Sequence, residues 1–302
     1  MSSHTRFRAP ALVVTALVTL ILGLLGVAPA QALPASTSPT TWTVLVGNQS
    51  PDMAIQGMRF LPDDITINSG DTVNFVANSA EIHTVSYGTP PLPPTSLANL
   101  EADAFTPAGG PVFDPNASWS NSGILATGGP FARSYQLTFN TTGSYKFFCV
   151  VHGQMMSAMV HVQPTGTAYP RPQQYYTAQG IASAARILAD GYQLWRKTLA
   201  QSSPTHVFVG AMDDQAMVMR FIPSIDTVPV GTTVTFDMSA NQGLVPHTVT
   251  FTSVPSGVTP PDSGLLLGPV TFPVTFTAPG TWNYLCEFHD DMGMVGSVTV
   301  TP

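Results

Sequence analysis

Cysteine is nearly absent from this chain: Cys149 and Cys286 are the only two in 302 residues. A disulfide-rich scaffold is therefore excluded, because two thiols make one bridge at most. Charge is scarce as well. Lys, Arg, Asp and Glu make up 9% of the residues, and 17 acids against 10 bases give a formal net charge of −7. A chain with that balance lacks the basic surface that nucleic-acid binding requires. Its low charge does not signal disorder, since 44% of the residues are hydrophobic. No two of the seven histidines lie two positions apart, so no His-x-His pair exists. Arg6-Phe7-Arg8 is not a twin-arginine pair, and no cysteine lies near the end of the N-terminal apolar run, so a lipid anchor on cysteine is not expected.

Proline (28) and glycine (25) are plentiful, and Thr and Val recur throughout. Such a profile predicts an all-β protein with many turns, long enough for two domains. Residues 1–32 read as a signal peptide: Arg6 and Arg8, the apolar run Ala11–Val27, then Ala30-Gln31-Ala32 as a small-residue cleavage site. Its removal takes away two arginines and no acid, leaving a more acidic product. The expected localisation is exported: periplasmic, extracellular or attached to the cell surface. Membrane attachment is expected only where the segment stays uncleaved, because the run is about long enough to span a bilayer.

The rest of the chain is written twice. Met58-Arg-Phe-Leu-Pro62 returns as Met219-Arg-Phe-Ile-Pro223, with four of five residues identical. Around each lies the same order of β-rich segments: an Asn (Asn78, Asn241), a His-Thr-Val (from His83, from His247), then a hairpin strand ending on a cysteine. The predicted organisation is a β domain at 41–164, a linker with one helix at 165–204, and a second β domain at 205–302. Each domain is a Greek-key sandwich of seven or so strands. The helix is expected over Ala178–Gln201, with Ile181, Ala184, Ala185, Leu188, Tyr192, Leu194 and Trp195 as its apolar stripe and Gly191 weakening it. The first copy carries extra Pro-, Gly- and Ser-rich sequence, Thr89–Gly129, expected to be a long loop laid on the sandwich.

Both cysteines open the same short pattern. Cys149-Val-Val-His152 runs on to Met155 and Met156; Cys286-Glu-Phe-His289 runs on to Met292 and Met294. A single disulfide leaves these matched followers unexplained. A thiolate, two imidazoles and a distant thioether form the donor set that selects copper and makes a blue electron-transfer site. Zinc would use the same nitrogens and sulfur but leave the methionine idle. His161 and His206 are expected to be structural or exposed, His206 without a partner.

In these stretches the chain resembles the cupredoxin family, the plastocyanin-like blue copper proteins, over almost all of Thr41–Val162 and Thr205–Pro302. The second ligand loop, with its closing Val-Gly-Ser-Val-Thr-Val, is close to that of plastocyanin; the first is shorter and nearer the amicyanin type. The resemblance implies two tandem cupredoxin-like sandwiches, each with one type 1 copper. By it, His247, Cys286 and His289 are equatorial ligands with Met294 axial, and His83, Cys149 and His152 are equatorial with Met156 axial. Register with the closing strand favours Met294 over Met292 and Met156 over Met155.

The function implied is single-electron transfer between redox partner proteins. An alternative from another class is a secreted copper-binding, storage or delivery protein, for which the abundant methionines suit Cu(I). A two-domain copper oxidase or nitrite reductase comes last. Those enzymes need further histidines for an additional copper, and here Phe148 and Leu285 precede the cysteines.

Overall fold

A computed structural model describes residues 38–92, 95–242 and 245–302. The signal-peptide expectation for residues 1–32 lies outside the described residues.

The first copy contains β1 (Thr41–Gln49), β2 (Ile55–Leu61), β3 (Asp64–Asn68), β4 (Thr72–Ala77), β5 (Ser86–Gly88), a helix α1 (Leu97–Phe105), β6 (Trp119–Asn121), β7 (Ser134–Thr138), β8 (Gly143–Cys149) and β9 (Gly153–Gln163). A long helix α2 (Gln173–Leu199) follows. The second copy contains β10 (His206–Met212), β11 (Ala216–Ile222), β12 (Ile225–Pro229), β13 (Thr233–Asp237), β14 (Thr250–Ser253), β15 (Thr271–Thr275), β16 (Gly280–Leu285) and β17 (Val295–Thr301).

Within each copy two sheets close over an apolar core. β3-β9-β8-β5-β6 faces β2-β1-β4-β7 in the first, and β12-β17-β16-β14 faces β15-β13-β10-β11 in the second. From Met156 onward β9 alternates buried and half-buried residues, the period-two pattern of a strand with one face on a core. Val44, Phe60, Phe75, Phe147 and Val160 fill the first core; Val209, Phe221, Phe236, Trp282 and Val298 fill the second.

The two sandwiches share a sheet. β2 and β11, the strands carrying the repeated Met-Arg-Phe, pair antiparallel through Ala216 with Gly57, Met217 with Gln56 and Val218 with Ile55, making one sheet of eight strands. The bonds across the seam are reciprocal: Met58 N–H donates to the Gln215 carbonyl (2.9 Å) and Met219 N–H to the Ala54 carbonyl (2.8 Å). Equivalent strands pairing antiparallel give the local geometry of an isologous two-fold contact. Each covers the other's open edge, which removes a site for unwanted strand pairing.

Helix α2 lies across the back of this seam. Ile55, Leu61, Phe208, Val218 and Ile222 from the sheet bury against Ile187, with Ala184, Leu188, Leu194 and Trp195 half-buried beside them. Burial of each large side chain of this kind contributes roughly 1.5–3 kcal/mol. The helix spans 173–199 rather than the expected 178–201, starting directly after Pro172. Its packed face also differs from the expected stripe, for Ile181 is 65% exposed and Tyr192 is half out in solvent. Gly180 and Gly191 lie on the packed face instead. A Cβ on Gly191 would come 2.3 Å from Ile55 Cγ2, so glycine here permits close approach rather than weakening the helix to no purpose.

The stretch Thr89–Gly129 is not the plain loop expected. It contains α1, capped at its start by Ser96 Oγ accepting from Asn99 N–H, and the short strand β6. The Asn121 amide donates to the Asp103 and Thr106 carbonyls at the far end of α1. Leu100 and Ala104 then pack on Phe148 and Val150, which flank Cys149 in sequence.

Candidate metal centres

Each sandwich brings one histidine from the upstream strand region and a Cys-x-x-His loop together at one end. In the first copy β8 ends on Cys149, the turn delivers His152, and His83 is held by backbone bonds in both directions with Leu125. In the second, His247 is held in the same way by Leu266, opposite Cys286 and His289. Both triads are buried, and the donor atoms of each lie within 4.8 Å of one another.

The geometry repeats closely. His83 Nδ1 lies 3.1 Å from His152 Nδ1, which lies 3.4 Å from Cys149 Sγ. His247 Nδ1 lies 3.2 Å from His289 Nδ1, and Cys286 Sγ lies 3.6 and 3.4 Å from the two. The ring centroids are 4.8 Å apart in both pairs. Three donors at about 2.0–2.3 Å from one ion have mutual separations of this size. The residues fit a single soft-to-borderline cation held by two imidazoles and a thiolate.

The electrostatics agree. Burial pulls the imidazolium pKa down at every position: His152 and His289 fall to about 4, while His83 and His247 lie well below the ordinary range, with repulsion from the neighbouring histidine as a second cause. All four rings are neutral at neutral pH and have lone pairs to give. Burial also raises the Cys149 and Cys286 thiols. A cation that binds has one proton to displace per site, from sulfur, and turns a dry neutral hole into a paired charge.

Second contacts fix the donors. Thr84 N–H points at Cys149 Sγ (3.3 Å) and Thr248 N–H at Cys286 Sγ (3.4 Å). The same two threonines accept from the loop through Oγ1, from Val150 N–H and Glu287 N–H, both at 2.9 Å. His83 Nε2 meets Ser79 Oγ at 2.9 Å. The conjugate arginines of the repeat anchor the ligand loops: Arg59 donates to the Met155 carbonyl (2.7 Å) and Arg220 to the Met292 carbonyl (2.6 Å). Asn78 and Asn241 donate to the Gly47 carbonyl (3.0 Å) and the Val209 carbonyl (2.7 Å).

Two glycines make room for the rings. Gly47 and Gly210 sit at matching β-bulges with φ of +75° and +76°. An added Cβ would come 2.4 Å from His83 Nε2 at the first and 2.9 Å from His247 Nε2 at the second. Sequence reasoning assigned these glycines no role; their equal place in both copies was the available signal.

Of the methionines, Met156 and Met294 are fully buried and share a core cluster with the cysteine of their own copy. Met155 is half-buried. Met292 packs with the first copy's cluster, beside Met212, Met217 and Met219. Both cysteines are free thiols. His206 is not without a partner, contrary to expectation: its Nε2 lies 2.9 Å from Asp237 Oδ2. His161 pairs at the surface with Ser144 and Asp64.

One acid was passed over entirely. Glu81, two residues before His83, is 7% exposed and stands between the triads. Its Oε1 lies 3.7 Å from His152 Nε2 and its Oε2 lies 3.9 Å from His289 Nε2. Burial, with Asp291 adding to it, pushes its carboxyl up to about 7. A cavity of about 290 Å³, walled by Leu100, Phe105, Phe131 and Phe288, opens onto Glu81 and His289.

The family described as copper binding proteins, plastocyanin/azurin family, matches this chain twice, at residues 48–163 and 207–301. A chloroplastic plastocyanin of Hordeum vulgare is 39% identical over 126 residues, covering 39% of this chain and 75% of that protein. A second, from Oryza sativa subsp. indica, is 43% identical over 89 residues, covering 28% of this chain and 56% of that protein. Among solved structures, the oxidised form of plastocyanin from Dryopteris crassirhizoma aligns at 27% identity and a TM-score of 0.26, covering 32% of this chain and 99% of that one.

Proposed function

Because the chain belongs to the plastocyanin/azurin family of copper-binding proteins, we propose that it is an exported electron carrier with one mononuclear type 1 copper in each copy. The observation that carries this reading is the repeated triad: two neutral imidazoles and one thiol, buried and spaced for a single ion, in both sandwiches. His83, Cys149 and His152 would hold the first copper, and His247, Cys286 and His289 the second. Met156 and Met294 would offer the weakly bound thioether, a reading supported by their complete burial in the same clusters as the two cysteines.

When bound, copper supplies a one-electron Cu(II)/Cu(I) couple at each site. The protein's part is to keep the donors nearly still. Sheet hydrogen bonds fix His83 and His247, threonine N–H groups stabilise charge on each sulfur, and the arginine anchors hold the loops. Water is excluded by burial, so little rearranges when an electron arrives or leaves. The exchange partners are redox proteins outside the chain.

A carrier is favoured over an oxidase or reductase by the remaining described histidines. His161 engages the exposed Asp64 and His206 the buried Asp237, each a single carboxylate rather than a second donor cluster. Among the described residues no helix is long and apolar enough to cross a membrane. Export rests on the Arg-flanked apolar run before Ala30-Gln31-Ala32, and N-terminal sequencing of the protein recovered from expressing cells tests it.

Copper titration under absorption spectroscopy tests the carrier. The expected result is an intense thiolate-to-copper band that saturates at two coppers per chain and bleaches and returns on reduction and reoxidation. A colourless protein that takes up only Cu(I) and yields it to a chelator is the result for a copper store.

A further inference from the structure

The outward edges of His152 and His289 end on a single residue. Both rings turn Nδ1 into their triads, so Nε2 is the nitrogen left over, and in both copies it faces the Glu81 carboxylate. Each carboxylate oxygen serves a different ring, at 3.7 and 3.9 Å. The three side chains are almost wholly buried: Glu81 at 7%, His152 at 7% and His289 at 5% exposure.

A carboxylate placed there is costly unless a donor or a positive charge answers it. The Ile82 N–H answers it only in part, and Ser79 Oγ and Gln56 Oε1 contact only the Glu81 main chain. Asp291, across the interface, is another acid and adds repulsion. The answer comes from ligand chemistry. An imidazole that gives its Nδ1 lone pair to a cation must carry its proton on Nε2, and that N–H becomes a stronger donor. Histidines that bind metal commonly give this second N–H to a carboxylate, which fixes the ring and tunes the ion. Here the same carboxylate is in position for two such rings, from two different centres.

The repeat accounts for there being one acid and not two. The position two before His247 is Val245, so the second copy brings no carboxylate of its own. The antiparallel seam of β2 with β11 turns the two ligand loops toward each other. A single acid between them then faces both.

We propose that Glu81 is a shared positioning residue, each oxygen standing at ion-pair distance from one outward ring N–H, which joins the two centres into an electrostatically coupled pair with an internal path for one electron. This rests on the reading of both triads as copper sites. The transfer balances simply: one Cu(I) is oxidised as the other centre's Cu(II) is reduced, no bond is broken and no proton is released. The path runs through the His152 ring, the carboxylate and the His289 ring.

The test uses the full chain as wild type, Glu81→Gln and Glu81→Ala, with two readouts. The first is spectroelectrochemistry on the two-copper protein. Loss of a shared anion disfavours Cu(II) at both centres, so both potentials rise in Glu81→Gln. A tenfold change in each one-electron equilibrium, about 59 mV, is expected. After partial reduction, electron exchange between the centres slows at least tenfold in Glu81→Ala. The second readout is the ¹H–¹⁵N spectrum of the Cu(I)-loaded protein, in which the Nε2–H signals of His152 and His289 are both protected from exchange and both move in Glu81→Gln. The proposal is overturned if only one centre responds, or neither, while both remain blue. It is equally overturned, with no variant needed, if either wild-type Nε2–H exchanges at the rate of free imidazole. Failure of the electron-carrier reading looks different: copper uptake without a blue band, seen already in the wild type.

Discussion

The two copies hold nearly superimposable donor sets in unequal surroundings. In the first, Ser79 Oγ supports His83 Nε2, α1 packs against the residues flanking Cys149, and Glu81 precedes the upstream histidine. In the second, the residue after Asn241 is Gln242, which has no hydroxyl, no α-helix is inserted among the described residues, and Val245 stands at the acid's place. What stays constant between copies is what touches the donor atoms: the threonine N–H on sulfur, the bulge glycine under the ring, the arginine on the loop carbonyl. These features are set by the chemistry of the triad. What varies is what covers it, and that sets the two sites apart without altering how they bind.

The largest expected effect is one in which the copies behave alike. The four histidines of the two triads have folded pKa values below the unfolded value of about 6.5, with His152 and His289 at about 4. Protonation therefore favours the unfolded chain. Their contribution is fully present above about pH 6.5 and is lost as pH falls toward 4, at about 3 kcal/mol for each of His152 and His289. Denaturant titrations of the metal-free protein between pH 7 and 4 should show this loss, and copper-loaded protein should resist it. Flat stability over that range would contradict the burial of these rings.

Next in size, Gly47→Ala and Gly210→Ala should separate the copies. Each puts a side chain at positive φ, costing about 1–2 kcal/mol, and adds a clash of about 1–3 kcal/mol. The gap is tighter at Gly47 (2.4 Å) than at Gly210 (2.9 Å). Thermal melts and copper titrations should therefore show the first variant losing more stability and losing copper at its own site. Equal losses would mean that the ring spacing does not decide the matter.

Arg59→Met and Arg220→Met come third. Each removes a charged hydrogen bond to a ligand-loop carbonyl, worth about 1.5–3 kcal/mol. Arg220 also donates to the Asp52 carbonyl across the interface, at 2.6 Å. Its loss should cost more in melting temperature, while each variant broadens the absorption band of its own copy. The smallest effect belongs to Ser79→Ala, at about 0.5–1.5 kcal/mol. Copper affinity should fall at the first site and stay unchanged at the second, as read by titrating single-site variants.

The sequence made local features plain and long-range ones obscure. Cys286-x-x-His289 is a one-turn pattern, and the upstream His83 and His247 emerged because the chain is duplicated. The choice of Met294 over Met292 followed strand register. The β2–β11 seam was invisible, because pairing of two edges from distant segments leaves no mark in either segment's periodicity. The face of α2 was misjudged for a related reason. Ile181 and Tyr192 are apolar yet exposed, whereas Gly180 and Gly191 are packed because the sheet comes too close for larger groups. The partner of His206, Asp237, is 31 residues away and depends on β10 lying beside β13. Glu81 carried no signal at all. Its environment is built by two loops 71 and 208 residues further on, and only folding brings them to it.

The central claim, one blue copper per copy, is tested most directly by copper content and visible absorption of the wild type beside Cys149→Ser and Cys286→Ser. The account predicts that each single variant keeps one thiolate-bound copper and about half of the blue band, and that the double variant is colourless. A single variant that abolishes the whole band, or leaves it undiminished, would contradict two independent thiolate centres.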